Sequence, residues 1–197
     1  QLYTESQTRH RFAQMTLGVD YHTNFGGSTQ YLGSNGDIYS TNLPQFHRPR
    51  FLIGGTHFWG HADFYIAIPL MYPSSTIENQ DISFRSGVET VFKYYPWKVE
   101  HQRVRPFVGV SFAPYYYEQS NGFLEYGDGP DMNHTSWPLL AGLTYNTNQH
   151  ILDVSLTWNY ANQQDYYISP DIQTQISTSP LYLSVAYKYK FDTTIGA

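Results

Sequence analysis

The chain has 197 residues, a size suited to one domain, with a formal charge of −5, no cysteine, 14% charged residues and 18% aromatic ones. The missing cysteine excludes disulfides, thiol nucleophiles and zinc–thiolate centres, and the missing basic run excludes a nucleic-acid partner. Charged residues fall well below the quarter usual in soluble domains, yet mean hydropathy is negative and no stretch approaches the roughly 20 apolar residues of a spanning helix.

Gln1 is not a translation start, so the chain reads as a mature sequence whose leader has been removed. Residues 1–11 are expected as a segment ahead of the first strand, 12–191 as one barrel domain and 192–197 as a tail. From Ala13 onward alternate residues sort by polarity. Ala13, Met15, Leu17, Val19 and Tyr21 oppose Gln14, Thr16, Gly18, Asp20 and His22. A strand is needed next over 50–58, with either face able to be the apolar one. Phe64, Ile66 and Ile68 then oppose Asp63, Tyr65 and Ala67. Over 82–94 the apolar set from Ile82 to Tyr94 opposes Arg85, Glu89 and Lys93, and over 104–116 Val104, Val108, Val110 and Phe112 oppose Arg105, Gly109 and Ser111. Three more such segments cover 137–145, 152–160 and 181–191.

Alternation over stretches of about ten residues is the pattern of a barrel wall with unlike solvents on its two sides. Two further regularities point the same way. The apolar set carries no charge in any of the seven clear strands, as expected where a Lys or Arg at mid-bilayer costs about 2–4 kcal/mol. The connections alternate between long or medium (23–46, 73–81, 118–135, 161–178) and short (59–61, 96–103, 146–149). Aromatic residues also gather at both ends of the apolar face: Tyr21, Tyr72, Tyr116, Trp137 and Trp158 at the end with long connections, Phe92, Tyr94, Tyr145 and Tyr187 at the other. Two aromatic bands mark the two interfaces of a bilayer. The expectation is all-β: an eight-stranded antiparallel up-and-down transmembrane β-barrel. A soluble lipocalin-like barrel would invert the faces.

The last strand, Leu181 to Phe191, ends in Tyr187, Tyr189 and Phe191. With the alternation before it, it resembles the end of the small eight-stranded outer-membrane barrels of the OmpX, OmpW and OmpA-barrel group. That resemblance implies a Gram-negative outer membrane, both termini in the periplasm, contact with lipid and lipopolysaccharide, and recognition of the terminal aromatic by the barrel-assembly machinery. The tail 192–197 departs from the pattern, since such chains often stop at the aromatic.

Eight strands enclose a lumen that side chains just fill. The inward set brings Asp63, Arg85, Glu89, Lys93, Arg105, Asp153 and Lys188 together, and buried charges must be paired. The four-residue spacing of Arg85, Glu89 and Lys93 predicts an ion-pair ladder on one face of one strand. That ladder would plug the lumen; a narrow channel is the alternative. His134 and Ser136 resemble the His-x-Ser arrangement of the lipid A deacylases, which makes a lipid A-modifying hydrolase a second alternative, although no carboxylate follows before Asp153. His57, His61 and Asp63 carry donors suited to a metal. The acidic tip 128–133 lacks the spacing of a calcium loop, and no cofactor is expected. The long connections carry Tyr31, Tyr39, Phe123, Tyr126, Tyr166 and Tyr167 among Asn, Gln, Ser and Gly, the composition of an adaptable recognition surface. The leading expectation is a non-enzymatic closed barrel, a structural or interaction subunit whose external loops bind a protein or glycan within a larger envelope complex.

Overall fold

Strands that cross hydrocarbon must close on one another, because an open edge there leaves backbone donors and acceptors unpaired. The computed structural model shows that closure, and it describes residues 13–32, 36, 38–43, 45–72, 74–77, 80–97, 103–120, 131–147, 149–160, 163–169 and 172–191. Fifteen strands are described: β1 (Ala13–Asn24), β2 (Gly27–Leu32), β3 (Ile38–Leu43), β4 (His47–His57), β5 (Ala62–Pro69), β6 (Ser74–Ile77), β7 (Gln80–Ser86), β8 (Glu89–Tyr94), β9 (Val104–Ser120), β10 (Asp131–Ser136), β11 (Leu139–Asn146), β12 (His150–Trp158), β13 (Gln163–Ser169), β14 (Ile172–Thr178) and β15 (Leu181–Lys190). Eight of them, β1, β4, β5, β8, β9, β11, β12 and β15, form an antiparallel ring closed by the pairing of β15 with β1.

The ring has the polarity that the alternation predicts. Along β12 every second residue is buried, and Leu152, Val154, Leu156 and Trp158 are the exposed ones. Buried residues of the wall include Asp20, Glu89, Lys93, Arg105, Asp153 and Lys188, whereas Val19, Ile66, Val108 and Val185 face outward. Apolar outside and ionic inside is the arrangement of a barrel standing in a bilayer and excludes the inverted, soluble form. The strand expected over 50–58 runs from His47 to His57, and its inward face is Arg48, Arg50 and Leu52. Outward aromatics band the ring at one end with Tyr21, Tyr72, Trp137, Trp158 and Tyr160, and at the other with Phe92, Tyr94, Tyr145 and Tyr187. The second end carries the tight turns. In one of them Phe58 and Trp59 hold left-handed backbone angles with their rings exposed, a conformation rare for bulky residues.

At the opposite end the structure corrects the expected long connections. The β1–β4 register continues without a break into β2 and β3, so much of 23–46 is a hairpin rather than a loop. The other three also contain hairpins: β9–β10 keeps the register of β9–β11, whereas β6–β7 and β13–β14 are each offset by one residue from the β5–β8 and β12–β15 pairs below them. β13 pairs with β14, which joins β2 to give the four-stranded order β13-β14-β2-β3. On the other half of the ring β6 pairs with β7, β7 with the upper part of β9, and β9 with β10. The wall therefore rises past the aromatic band as two blades of four strands each, with no ladder joining β3 to β6 or β10 to β13 among the described residues.

Prolines mark where the ring gives way to the blades. Pro49, Pro114, Pro138 and Pro180 each accept a backbone hydrogen bond across a ladder, from Leu70, Gly87, Ser111 and Asn159 respectively, and cannot return one. A second correction lies at Gly87 and Val88. The register sum along β7 and β9 differs by one from that along β8 and β9, so a bulge separates two strands that the sequence reads as one over 82–94. Inward residues pass from Ser86 to Glu89 across it, and the four-residue spacing that aligned Arg85 with Glu89 is lost.

Candidate functional site

The lumen holds two cross-wall networks, one above the other. The network nearer the blades is built on arginine. Arg50 of β4 donates from Nε to Asp20 Oδ1 at 2.9 Å and from Nη2 to Asp20 Oδ2, while Nη1 reaches Glu89. Glu89 also accepts from Arg48 Nη1 at 3.1 Å, and Ser184 Oγ donates to Asp20 at 3.2 Å. Glu89 is thus held by two arginines of the strand whose faces the alternation left open, while Lys93 of the expected ladder pairs with Asp153 instead. The planar guanidinium suits this task, because one Arg50 can bind two carboxylates at fixed angles.

The network nearer the turns combines lysine with tyrosine. Asp153 of β12 accepts from Lys188 Nζ at 2.5 Å, Lys93 Nζ at 2.8 Å and Thr144 Oγ1 at 2.6 Å. Asp63 accepts from the hydroxyls of Tyr65 and Tyr95, the latter at 2.9 Å, and Lys188 Nζ lies 4.0 Å from it. Lys188 also donates to Tyr65 Oη at 2.6 Å and sits 4.0 Å from the centre of that ring. Tyr95 Oη meets Thr144 Oγ1 at 2.9 Å, which joins the Asp63 and Asp153 halves. Side chains of five strands, β5, β8, β11, β12 and β15, are thus tied across the lumen.

Two further cations close the turn end by donating to carbonyls. Arg105 Nη1 binds Gly60 O at 2.6 Å and Trp97 O at 3.1 Å with its guanidinium over the Tyr95 ring, and Lys190 Nζ binds Thr147 O at 2.8 Å. Between the two networks a cavity of about 30 Å³ remains, bordered by Asp20, His22, Arg50, Glu89, Lys93 and Asp153. That is room for about two waters.

Long side chains fit this narrow lumen because glycines face them. Gly54 is in register with Tyr65, Gly18 with Lys188 and Gly142 with Phe107. A Cβ on Gly54 would lie 2.0 Å from Phe64 O and 2.8 Å from Tyr65 Cδ1, and one on Gly18 would lie 2.5 Å from Lys188 Cγ.

The other expected sites are dispersed. Asp63 points into the lumen toward the two tyrosines, whereas His61 pairs through Nδ1 with Tyr95 O at 2.9 Å and stacks on Tyr94. His57 is half-buried at the end of β4. The three are not drawn into one cluster, and no group of three metal-binding side chains occurs among the described residues. Ser136 is 2% exposed, with its Oγ inside the barrel mouth. His134 is placed by its backbone alone, opposite Tyr115 on β9.

Of the loop aromatics, Phe123 and Tyr126 lie outside the described residues. The register aligns Tyr39 of β3, Tyr31 of β2, Thr174 of β14 and Tyr166 of β13 in one cross-strand row of the first blade. Tyr167 stands next to it, opposite Gln173. Arg85 belongs to the second blade, in a row with Tyr116 and Asn133. Phe46 of the first long connection is buried, its backbone N–H held by Asn24 Oδ1 at 2.6 Å.

The alternation did not reveal Arg48, Tyr65, Tyr95 or Thr144 as members of the networks. Tyr65 carried a readable signal, since a tyrosine on an inward face must find a partner for its hydroxyl. Arg48 carried none, because it precedes the expected strand.

No family model and no curated protein sequence matches the chain. Among solved structures it is similar to the outer membrane protein OprG from Pseudomonas aeruginosa, with 11% identity over 92% of this chain and 97% of that one and a TM-score of 0.53. It is also similar to Neisserial surface protein A, at 18% identity over 90% and 97% of the two chains and a TM-score of 0.48. A third is the attachment invasion locus protein Ail of Yersinia pestis, at 11% identity over 91% and 97% with a TM-score of 0.43. The chain has the closed eight-stranded antiparallel barrel fold of the small outer-membrane barrels.

Proposed function

We propose that this chain is a non-enzymatic, non-conducting barrel of a Gram-negative outer membrane that presents its two blades to a protein or glycan partner at the cell surface. Both termini lie in the periplasm in this reading, and the blades lie outside. The observation that carries it is the contrast between a lumen crossed by two ion-pair networks and a wall prolonged by eight strands beyond the aromatic band. Charges so paired block passage, and strands are a costly way to build a mere cap. The row Tyr39, Tyr31, Thr174, Tyr166 supports contact through the first blade, since tyrosine offers large contact area at low entropic cost. Insertion by the barrel-assembly machinery and membership of an envelope complex belong to the same proposal.

Photoreactive side chains placed at Tyr31 and Tyr166 on intact cells test it. A discrete adduct from both positions, absent when the group is placed at the lipid-facing Val19, is expected. Adducts no different from those at Val19 would remove the partner. Steady single-channel openings in planar bilayers would remove the closed lumen.

A further inference from the structure

His22 of β1 belongs to neither network. It is 3% exposed, and neither ring nitrogen has a hydrogen-bond partner among the described residues. Its ring stacks on that of Tyr182, with 5.1 Å between centroids. It stands opposite Arg48 in the β1–β4 ladder and borders the cavity between the networks, beside Asp20, Arg50 and Glu89. Tyr65, Lys93 and Asp153 line the turn side of that cavity. The charges around His22 are already matched. Arg48 and Arg50 meet Asp20 and Glu89, two cations to two anions. Lys93 and Lys188 meet Asp63 and Asp153 in the same ratio. Each of these carboxylates is taken before the imidazole can claim one.

His22 also sits where the first blade leaves the ring. Its neighbours Thr23 and Asn24 grip the residue that leads into β4. Asn24 Oδ1 accepts from Phe46 N–H at 2.6 Å, and Asn24 N–H donates to Phe46 O at 3.2 Å. Thr23 Oγ1 donates to the same carbonyl at 3.1 Å. Tyr182, on which the imidazole stacks, is in register with Asn24. Leu43 and Phe46 are both buried here, and β3 ends at Leu43. Arg48 follows directly on Phe46 and His47. The arginine layer and the root of the blade thus share a few consecutive residues.

We infer that His22 is a proton-operated latch on the first blade. A proton from solvent makes a third cation in a layer with two anions. A guanidinium does not shed its own proton, and a buried charge must be paired. The imidazolium is accommodated in one of two ways: it takes Asp20 or Glu89 from an arginine, or the layer opens to water. Both displace the arginine layer, and Arg48 carries that movement to Phe46 and the root of the blade. The latch is closed with a neutral ring and opens as pH falls through the histidine range. It operates with or without a partner on the blade, so the two readings fail separately.

Amide exchange of the full chain in micelles tests it, followed by NMR and corrected for the intrinsic rate at each pH. A latch that takes up one proton on opening should open β2 and β3 about tenfold more for each pH unit below the ordinary imidazole value of ~6.5. Amides in the β9–β11 ladder, across the ring from β1, should keep their protection. His22→Gln retains a donor and an acceptor but cannot take the charge, and its blade should open equally at every pH. His47→Gln, at an exposed histidine that pairs with Thr23 Oγ1 at 3.1 Å, should keep the wild-type slope. Heat-modifiable migration on gels shows which variants fold, and His22→Asn serves if His22→Gln does not. Equal slopes in wild type and His22→Gln overturn the inference. So does a wild-type blade whose opening ignores pH, or a slope that His47→Gln removes.

Discussion

The ring and the blades are built from the same hairpins in nearly the same register, yet only the ring announces itself in the sequence. β1 and β4 pass into β2 and β3 without a change of pairing, but their composition shifts from Met15, Leu17, Val19 and Tyr21 to Gly27, Ser28, Thr29 and Gln30. Alternation records a difference between the solvents on the two sides of a wall. In the ring one side meets hydrocarbon and the other a polar lumen, so each strand carries a period of two. A blade that meets water has no such reason to alternate, while its backbone ladder costs nothing in pattern. Period two therefore locates the bilayer and not the ends of the strands.

The largest test of the comparison lies in the ring, where breaking a network should matter most. Asp153→Asn leaves Lys93 and Lys188 facing each other with one carboxylate 4.0 Å away. Removing one partner of a buried pair costs about 3–5 kcal/mol, and urea unfolding in detergent should show a loss of that order. Glu89→Gln should cost less, about 1.5–3 kcal/mol, because Arg50 keeps Asp20. Equal losses would mean that the two networks are not the separate units that their partners describe.

Packing gives the next effect. Gly54→Val pushes a branched side chain against Phe64 O and the Tyr65 ring, and overpacking of this kind costs about 1–3 kcal/mol. Because the tightest approach is to the Phe64 carbonyl, Gly54→Val combined with Tyr65→Ala should recover only the part of the loss that the ring causes. An undiminished loss in the double variant would assign it to the backbone clash with Phe64 alone.

These variants also show why the fold was legible and the lumen was not. The strand count, the closure and the outward face follow from residues such as Leu152, Val154 and Leu156, which repeat one signal on every strand. The partners of Glu89 depend on a single bulge at Gly87 and Val88 and on the phase of one strand, and neither repeats. One inserted residue exchanges the faces of everything beyond it, so the four-residue spacing from Arg85 to Glu89 no longer marks one face, and Arg48 is found on Glu89. The tyrosine row of the first blade is a property of register, which a list of loop aromatics does not contain.

The smallest expected effect addresses the boundary itself. Pro49 accepts from Leu70 N at 2.9 Å and returns nothing, at the point where β3 and β6 part. If the missing donor ends the ladder there, Pro49→Val restores a bond to Leu70 O and packs a β-branched side chain on the outward face. The net gain from one such bond is about 1 kcal/mol. Amide exchange measured by NMR in micelles should slow at Leu70 and at the new position 49, with the rest of β4 and β5 unchanged. Exchange that stays fast at Leu70 would mean that the wall divides because the blades diverge, and that the proline merely sits where the ladder already ends. The same substitution at an interior outward position such as Ile53 provides the reverse comparison: Ile53→Pro removes a donor within a continuous ladder and should open exchange on both sides of it. A proline tolerated there as well as at 49 would show that the ring's closure, more than any single bond, holds its strands together.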